Sequence, residues 1–524
     1  MTAVPVLPAF SAALLVTVLL TVVSPPGWQP WVQFVAVALI AAATTLRRHG
    51  RPLLARRTTD RRTPVDVVDL VAPDRTAVGC VEGELMVTTA VEVSAGALVA
   101  TEVGRDDPAD FRGVRLPLRA VARQLDQGGV LLEGIDVVVH GRRSAEGHDG
   151  EVYASLVGPL ALISHRRVHL LIRFDLARLA LESAGDSTVA IEQIVTVATE
   201  RVRRSLVHHG VPCRVLDAAE LAELYLDAES DPGAGVGLVV RPGADPRGII
   251  DNLTAVRASA VTEVTRLRRV EGRDDVVDAV TTVGLTGLSG QATHDAALQS
   301  LHGLDGSCHS LPTARVLPVP GEDLPGSIAG SLDRLSIDEL DDLAPPAHGS
   351  GQILGATRTG SASAIQLAGP HLRSVLLAAR PPVCRQVAFR AVAAGYRVAV
   401  VTDVPDRWRP LQAIGDETRY RIVSPDASDA GAPVDAVMWD VDGPLSEGRI
   451  DALAGPGGPD VTPPTVIRVD ADWDLRGAAL ADTVATPDLV LDGRIDGWIS
   501  VEPRAGHTSR VSVVAGPGEE SFLG

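Results

Sequence analysis

The sequence predicts a membrane-anchored α/β protein. Two uncharged apolar runs near the N-terminus approach the length that a helix needs to cross a bilayer. Through the rest of the chain, apolar strand-like segments alternate with helix-like segments, which is typical of α/β architecture. We therefore expect two N-terminal transmembrane helices, then an α+β or α/β cytosolic region, and a C-terminal domain with a doubly wound, mostly parallel sheet.

The predicted anchor is a helical hairpin formed by residues 1–46. Its first run covers about residues 4–23 and its second about residues 31–46. The proline-rich turn between them contains Trp28, and Trp31 follows it. Tryptophans are enriched where a membrane meets water, so both suit the outer turn of the hairpin. A cleaved signal peptide is the alternative for the first run, but that run has no basic residue before it.

Arginines cluster directly after the second run. The first 62 residues hold seven arginines and one acidic residue, Asp60. The positive-inside rule makes this end cytoplasmic, so we expect a multi-pass protein of the inner membrane whose N-terminus and main body are both cytoplasmic. A basic segment beside a membrane also attracts anionic lipid. The residues predicted to set anchoring and topology are Trp28, Trp31, Arg47, Arg48, Arg51, Arg56 and Arg57.

Composition excludes several classes of protein. All 48 basic residues are arginine, so a phosphate-loop lysine and a Schiff-base lysine are both excluded. The net charge is −18, and an acidic body repels nucleic acid. The four cysteines lie far apart, with no C-x-x-C pair, which fits core thiols in a reducing compartment.

Five segments are predicted along the chain. The anchor, residues 1–46, is followed by a basic linker over 47–65 and by an α/β domain over 66–230. A second α/β segment with a crossing rich in proline and glycine covers 231–350. The C-terminal segment, 351–524, has the alternation of a Rossmann-like domain.

The soluble region contains several well-defined elements. Strands over 76–81 and 84–93 flank a tight turn and predict a hairpin. Residues 166–175 alternate between apolar and polar, which indicates a half-buried strand. An apolar stripe over residues 191–206 predicts an amphipathic helix. Residues 261–268 and 275–283 suggest a further hairpin, and residues 318–350 a poorly structured crossing.

The C-terminal segment lacks a nucleotide-site signature. A strand over 373–379, a helix over 382–394 and a strand over 397–402 begin its alternation. In doubly wound folds a nucleotide binds at the first turn from strand to helix. Here that turn, residues 378–383, has no glycine and contains two prolines, which lack a backbone donor. We therefore predict no cofactor and no cofactor-binding residue.

One acidic motif resembles a phosphatase site. Residues 440–444 read Asp-Val-Asp-Gly-Pro after an apolar strand and are similar to the Asp-x-Asp-Gly-Thr motif of haloacid-dehalogenase phosphatases. Asp470 and Asp472 could complete a carboxylate cluster. Pro444 departs from that pattern, and no lysine is present to complete the site. The alternative is a capped strand end, so no catalytic residue is assigned.

Basic and imidazole groups offer weaker candidates. His140, Arg142 and Arg143 lie in one short run that could form an anion site or a solvated strand end. His208 and His209 close the amphipathic helix, where a cation would favour the negative end of the helix dipole. No third metal ligand lies near them in sequence, so no metal site is predicted.

Several short motifs point to a known family. In the first soluble region they are Leu116–Asp126, Leu132–Val138, His140–Ser144, Gly158–Leu160, the strand from Arg166, and Ala198–Val202; further along they are Gly351–Ala356, Ala368–Pro370 and Ala394–Val398.

Together with the predicted anchor, these motifs resemble the EccE component of the actinobacterial type VII (ESX) secretion system. The resemblance implies a non-enzymatic structural membrane subunit of a protein secretion complex, with EccB, EccC and EccD as partners. The energy for transport would come from the EccC ATPase. The rival class is a membrane-anchored enzyme, glycosyltransferase-like or a phosphatase, that acts at the inner leaflet.

Overall fold

Two large β-sheets make up most of the structure. In the computed structural model of the chain, the described residues are 47–48, 51–52, 66–83, 85–94, 101–103, 114–158, 160, 162–182, 188–229, 236–240, 258–286, 308–311, 333–369, 372–414, 416–427, 433–441, 447–454, 463–470, 487–504, 507–513 and 515–523. The chain divides into two compact units, residues 1–65 and 66–524. In the first unit, β1 (Arg47–Arg48) pairs antiparallel with β2 (Arg51–Pro52). Both sheets lie in the second unit.

Sheet 1 is antiparallel throughout its described strands. Its order is β13-β10-β12-β11-β7-β8-β5-β4-β3, with β14 beside β12 and β9 beside β5. The strands are β3 (Asp66–Val71), β4 (Ala77–Glu82), β5 (Met86–Val93), β7 (Gly134–Arg142), β8 (His165–Asp175), β9 (Cys213–Val215), β10 (Val236–Val240), β11 (Ala260–Val270), β12 (Arg273–Thr286), β13 (Cys308–Leu311) and β14 (Asp333–Ser336).

Sheet 2 is mixed. Its order is β19-β18-β20-β21-β17-β22-β23-β24-β15-β16-β6, and the pairings from β19 to β22 are parallel while the others are antiparallel. The strands are β6 (Thr101–Val103), β15 (Gln352–Ala356), β16 (Ala362–Ile365), β17 (Ser374–Ala379), β18 (Val398–Thr402), β19 (Tyr420–Val423), β20 (Ala436–Asp440), β21 (Thr465–Asp470), β22 (Leu489–Gly493), β23 (Trp498–Pro503) and β24 (Ser509–Ser512).

Helices cover the sheets. The described α-helices are α1 (Leu118–Ala122), α2 (His148–Val157), α3 (Leu176–Glu182), α4 (Thr188–His208), α5 (Ala218–Glu229), α6 (Pro381–Ala393), α7 (Glu447–Ala454) and α8 (Glu520–Leu523). Short 3-10 helices cover Arg123–Leu125, Ile337–Leu343, Pro405–Arg407 and Arg409–Ile414.

The apolar stripe of α4 forms the core beneath sheet 1. Val195, Ala198, Val202 and Leu206 are buried against the even-numbered side chains of β8. At the same interface the Thr89 and Thr199 hydroxyls lie 2.7 Å apart and share a hydrogen bond. The predicted strand over 166–175 and the predicted helix over 191–206 are therefore confirmed, but the strand is buried on both faces from Val168 to Phe174, so the prediction that it is half-buried was wrong. The two predicted hairpins are also confirmed, as β4–β5 and β11–β12.

The predicted fold class is wrong in two respects. First, the described chain is dominated by one antiparallel and one mixed sheet, where a doubly wound, mostly parallel sheet was expected. The alternation from β17 to β22 was recognised correctly. However, short connections such as the one between β22 and β23 leave no room for the crossover that parallel pairing needs, and they reverse the chain into antiparallel strands.

Second, two N-terminal transmembrane helices are not found. Within the residues that the structure describes, no helix is both long enough and apolar enough to cross a membrane. The predicted spans, residues 4–23 and 31–46, lie outside those residues. Directly after them, Arg47, Arg48 and Arg51 lie in the short β1–β2 ladder.

Each of the two large sheets contains strands from more than one of the five predicted segments. Strands β10 to β14, from the segment 231–350, complete sheet 1, and β6, from the segment 66–230, lies at the edge of sheet 2. The predicted crossing is ordered over its described part. There, Ser336 begins a 3-10 helix through a capping box with Glu339, and residues 344–350 are buried. The division into five segments remains a prediction.

Candidate functional site at the carboxyl edge of the parallel strands

The parallel strands of sheet 2 create one position where a ligand is expected. From β18 the chain continues to β19 on one side, whereas from β20 it continues to β21 on the other. Crevices that bind ligands in open α/β sheets lie at such a reversal, outside the carboxyl ends of the strands. The two strands end in register at Thr402 and Asp440. The first residue of the phosphatase-like motif therefore lies at the switch point.

Three donors surround the Asp440 carboxylate. The Trp408 indole Nε1 donates to Oδ2 at 2.6 Å, and the Thr402 hydroxyl donates to the same oxygen at 3.0 Å. The Arg407 guanidinium donates to Oδ1 at 2.5 Å. Because Asp440 is only 5% exposed, these bonds replace the water that an isolated buried carboxylate would require. We call Thr402, Arg407, Trp408 and Asp440 the Asp440 latch.

The Asp440 latch is joined to the neighbouring helix α6. Trp408 is fully buried, between the two 3-10 helices that follow β18. The Arg407 carbonyl accepts a hydrogen bond from Arg385 of α6 at 2.9 Å, which ties the same turn to the helix. An aspartate that attacks phosphorus needs a carboxylate oxygen open to substrate and metal. Here both oxygens are engaged and an arginine balances the charge.

The other carboxylates of the motif do not form a cluster in the described chain. Asp470 ends β21, the strand beyond β20, and Asp442, Pro444 and Asp472 lie outside the described residues. Among the residues that the structure describes, no three histidine, cysteine or carboxylate side chains lie together as a metal site would require. The described geometry agrees with a capped strand end.

The first turn from strand to helix also lies at this edge. Arg380 caps α6, and Pro381 and Pro382 occupy its first positions. The first amides after them, at Val383 and Cys384, both donate to the Arg380 carbonyl. Arg380 itself forms an ion pair with Asp496 at 2.5 Å. The amides that cradle a pyrophosphate in a Rossmann fold are therefore absent or already engaged over residues 380–384.

Three cysteines have thiols whose pKa is raised, and of these Cys80 and Cys384 are buried and Cys213 is half-buried. Burial raises the pKa of Cys384 to about 12, and its Sγ donates to the Ala379 carbonyl at 3.2 Å. Burial likewise raises the pKa of Cys80 to about 12 and that of Cys213 to about 11. A thiol needs a lowered pKa to act as a nucleophile at neutral pH. None of these three is placed for that chemistry.

The basic run at the end of β7 splits between two environments. Arg143 is 1% exposed and donates to the Gly158 carbonyl at the end of α2. His140 and Arg142 instead lie on the other side of the strand, and the His140 Nδ1 is 2.9 Å from the Thr262 hydroxyl. Burial, aided by the positive charge of Arg142, lowers the pKa of His140 to about 3, so its imidazole is neutral at pH 7.

The remaining predicted residues either make local contacts at the end of α4 or lie outside the described residues. At the end of α4, His209 Nδ1 lies 2.7 Å from the Ser205 carbonyl, and His208 packs edge-on against His209. Trp28, Trp31, Arg56 and Arg57 lie outside the described residues.

Two buried ion-pair clusters escaped the sequence analysis. In sheet 1, the Asp136 carboxylate binds the Arg266 guanidinium through two bonds of 2.6 and 2.8 Å and accepts another from Arg173 at 3.3 Å. Beside sheet 2, Glu519 binds Arg390 of α6 through bonds of 2.7 and 2.8 Å, with neither residue more than 2% exposed. The only signal in the sequence was a charged residue inside an otherwise apolar strand or helix, as for Asp136 in β7 and Arg390 in α6.

The family comparison falls on the centre of sheet 1. Residues 162–233 match the family model described as "Putative type VII ESX secretion system translocon, EccE". The match runs from the start of β8 through α4 and α5. A search of curated proteins found no match to the chain. The resemblance predicted from the sequence motifs is confirmed, because residues 162–233 are similar to the EccE family.

Proposed function

We propose that this protein is a non-enzymatic structural subunit of the type VII secretion translocon. The observation that carries the proposal is the EccE family match over residues 162–233, whose elements form the centre of sheet 1 and its helical cover. The Asp440 latch supports a structural role, because protein donors engage both oxygens of the carboxylate that begins the phosphatase-like motif.

The membrane is where a translocon component acts. In this proposal the main body lies on the cytosolic side of the inner membrane, with Trp28, Trp31 and the arginines at 47, 48, 51, 56 and 57 in contact with lipid. Each arginine near an anionic surface contributes about 1 kcal/mol of attraction. The partners, taken from the family resemblance, are EccB, EccC and EccD, and EccC would supply the energy for transport.

A surface for these partners is suggested by exposed leucines in and beside the matched region. Leu181 of α3 is 83% exposed and Leu85, beside the start of the same helix, is 63% exposed. The two lie at one end of sheet 1, because the Leu176 amide donates to the Leu85 carbonyl at 2.9 Å. Large apolar side chains grouped on a surface are typical of protein interfaces.

Affinity purification in mild detergent tests the proposal. A tagged full-length chain should recover EccB, EccC and EccD from its native membrane. Leu181→Glu should reduce that recovery, whereas Ile495→Glu, at a 55% exposed position outside the matched region, should not. Recovery of the three subunits with one another but never with this chain would contradict the proposal.

A further inference from the structure

A block of four basic side chains lies on one face of sheet 1. In the β7–β8 ladder, His140 is directly opposite Arg167, and Arg142 is directly opposite His165. Residues two apart along a strand share a face, so these four side chains form a two-by-two arrangement. We call them the basic block. The two arginines are diagonal neighbours in this arrangement, about 7–8 Å apart, and their like charges repel.

The surrounding charges compensate only part of the block. Glu92 of β5 accepts from Arg167 at 3.3 Å, but it also pairs with Arg214 of β9 at 2.5 Å and lies 3.6 Å from the imidazole of His169. Across the junction with sheet 2, Asp435 attracts His165, but it is already paired with Arg397 at 2.9 Å. Two carboxylates are therefore shared by three arginines and two imidazoles, and Arg142 is not among these groups.

Arg142 is the uncompensated member of the block. It is exposed, and its guanidinium has no hydrogen bond or ion pair with any described residue. Its aliphatic stem lies so close to Gly395 that a Cβ there would come within 2.7 Å of the Arg142 Cδ. Gly395, with φ +108°, follows the end of α6, whose negative dipole end favours a nearby cation. The Arg142 side chain is thus held in position, while its guanidinium is still available to bind an anion.

The two imidazoles of the block are half-buried and neutral. Burial lowers the pKa of His140 to about 3 and that of His165 to about 4, with Arg142 and Arg167 acting in the same direction. The His165 ring packs edge-on against Tyr396 at 5.5 Å, and the Tyr396 hydroxyl is buried without a hydrogen-bond partner in the described chain. The exposed Arg142 guanidinium and the partly exposed Arg167 guanidinium therefore lie beside neutral polar rings on one face of sheet 1.

We propose that the basic block binds an oxyanion of the phosphate class, with Arg142 as its principal ligand. The guanidinium fork matches two phosphate oxygens, and the charge of the anion would offset the repulsion between the two arginines. The chain is acidic as a whole, so the local positive field would select a small anion that can approach the basic block. The ligand is either a soluble phosphate or the phosphate of a lipid headgroup.

Calorimetric titration of the full-length chain with pyrophosphate at low salt tests the site. Saturable binding should weaken about tenfold in Arg142→Ala, since a hydrogen-bonded charge is lost, and Arg142→Lys should fall between the two. The control is Arg510→Ala, the same change at an exposed arginine of β24 in the other sheet. Thermal unfolding of each variant verifies that the fold is kept.

Vesicles distinguish the two sources of phosphate. Binding to phosphatidic-acid vesicles that depends on Arg142 and resists competition by pyrophosphate assigns the site to a lipid headgroup. Binding that pyrophosphate displaces assigns it to a soluble ligand. Equal pyrophosphate affinity in the wild type and Arg142→Ala, or no saturable binding of pyrophosphate or vesicles, overturns the proposal.

Discussion

The two sheets hold their buried carboxylates in different places. The comparison shows that the position of a buried carboxylate does not by itself indicate a catalytic role. Sheet 1 places its charge inside the strands, where Asp136 of β7 is held between Arg266 and Arg173. Sheet 2 places Asp440 at the carboxyl edge of its parallel strands, where enzymes of this architecture hold their ligands. In both sheets the carboxylate accepts its hydrogen bonds from protein donors. The carboxyl edge of the parallel strands, where a ligand site is typical, therefore holds a structural carboxylate here.

The largest effect is expected from the buried cluster of sheet 1. Asp136→Ala leaves two arginines buried without their carboxylate, which costs about 3–5 kcal/mol in the free energy of unfolding. Urea unfolding of the purified chain measures the change. Asp275→Ala removes the partner of Arg273 at the surface and should leave the unfolding midpoint nearly unchanged. Equal midpoints for the two variants would mean that Asp136 does not organise sheet 1.

A smaller effect is expected from the edge of sheet 2. Asp440→Asn keeps an acceptor for Trp408 and Thr402 but leaves Arg407 without its counter-charge, at a cost of about 1.5–3 kcal/mol. The matched control is Asp492→Asn at the same edge, where Asp492 pairs with the half-exposed Arg494. If Asp440→Asn were no more destabilising than Asp492→Asn, the Asp440 latch would not hold the turn after β18.

Acidity should weaken sheet 1 before it affects most carboxylates. The pKa values of His140 and His165 are lowered in the folded state, to about 3 and about 4, against an ordinary 6.5. Between those values and 6.5 the unfolded chain binds more protons, so stability falls as the pH falls. At pH 5.5 the loss is about 1.4 kcal/mol for each histidine.

Thermal unfolding at pH 7.5 and 5.5 measures that loss. His140→Gln should reduce the difference between the two pH values, whereas His209→Gln, at the exposed end of α4, should leave it unchanged. A wild-type midpoint that does not change between pH 7.5 and 5.5 would show that these imidazoles are not buried in the neutral form.

The smallest effect is expected on the exposed face of α4. Arg204 pairs with Glu200 at 2.8 Å one turn away, and its side chain is 72% exposed. Arg204→Ala should therefore cost only about 0.3–0.5 kcal/mol, and added salt should reduce the difference. A cost above that of Asp440→Asn would reverse the order that burial predicts.

Local patterns in the sequence were sufficient to predict the regular elements. The alternation in β8 and the stripe of α4 require only neighbouring residues, and both were found as predicted. Sheet composition was not predictable in this way. β6 joins β16 across more than 250 residues, and nothing in its three residues indicates which sheet it enters.

The same limit applies to the candidate site. The motif at Asp440 was visible, but its meaning depends on Trp408 and Arg407, which lie 32 and 33 residues earlier in the chain. Likewise, His140 and Arg142 were noted, whereas the opposed Arg167 and His165 come from the next strand. In both cases the neighbours of the candidate residue depend on which strands pair and in which register. A single sequence does not reveal that register.

The structural role of Asp440 is tested by measuring secretion in a strain whose own copy of the gene is deleted and replaced by the Asp440→Asn variant. Because Asp440 is proposed to stabilise the fold and not to react, secretion of type VII substrates should equal that of the wild type when both proteins reach the same membrane level. Asp492→Asn serves as the control at the same edge. Loss of secretion in Asp440→Asn alone, with unchanged protein level and unchanged recovery of EccB, EccC and EccD, would contradict a structural role and place chemistry at this edge of sheet 2.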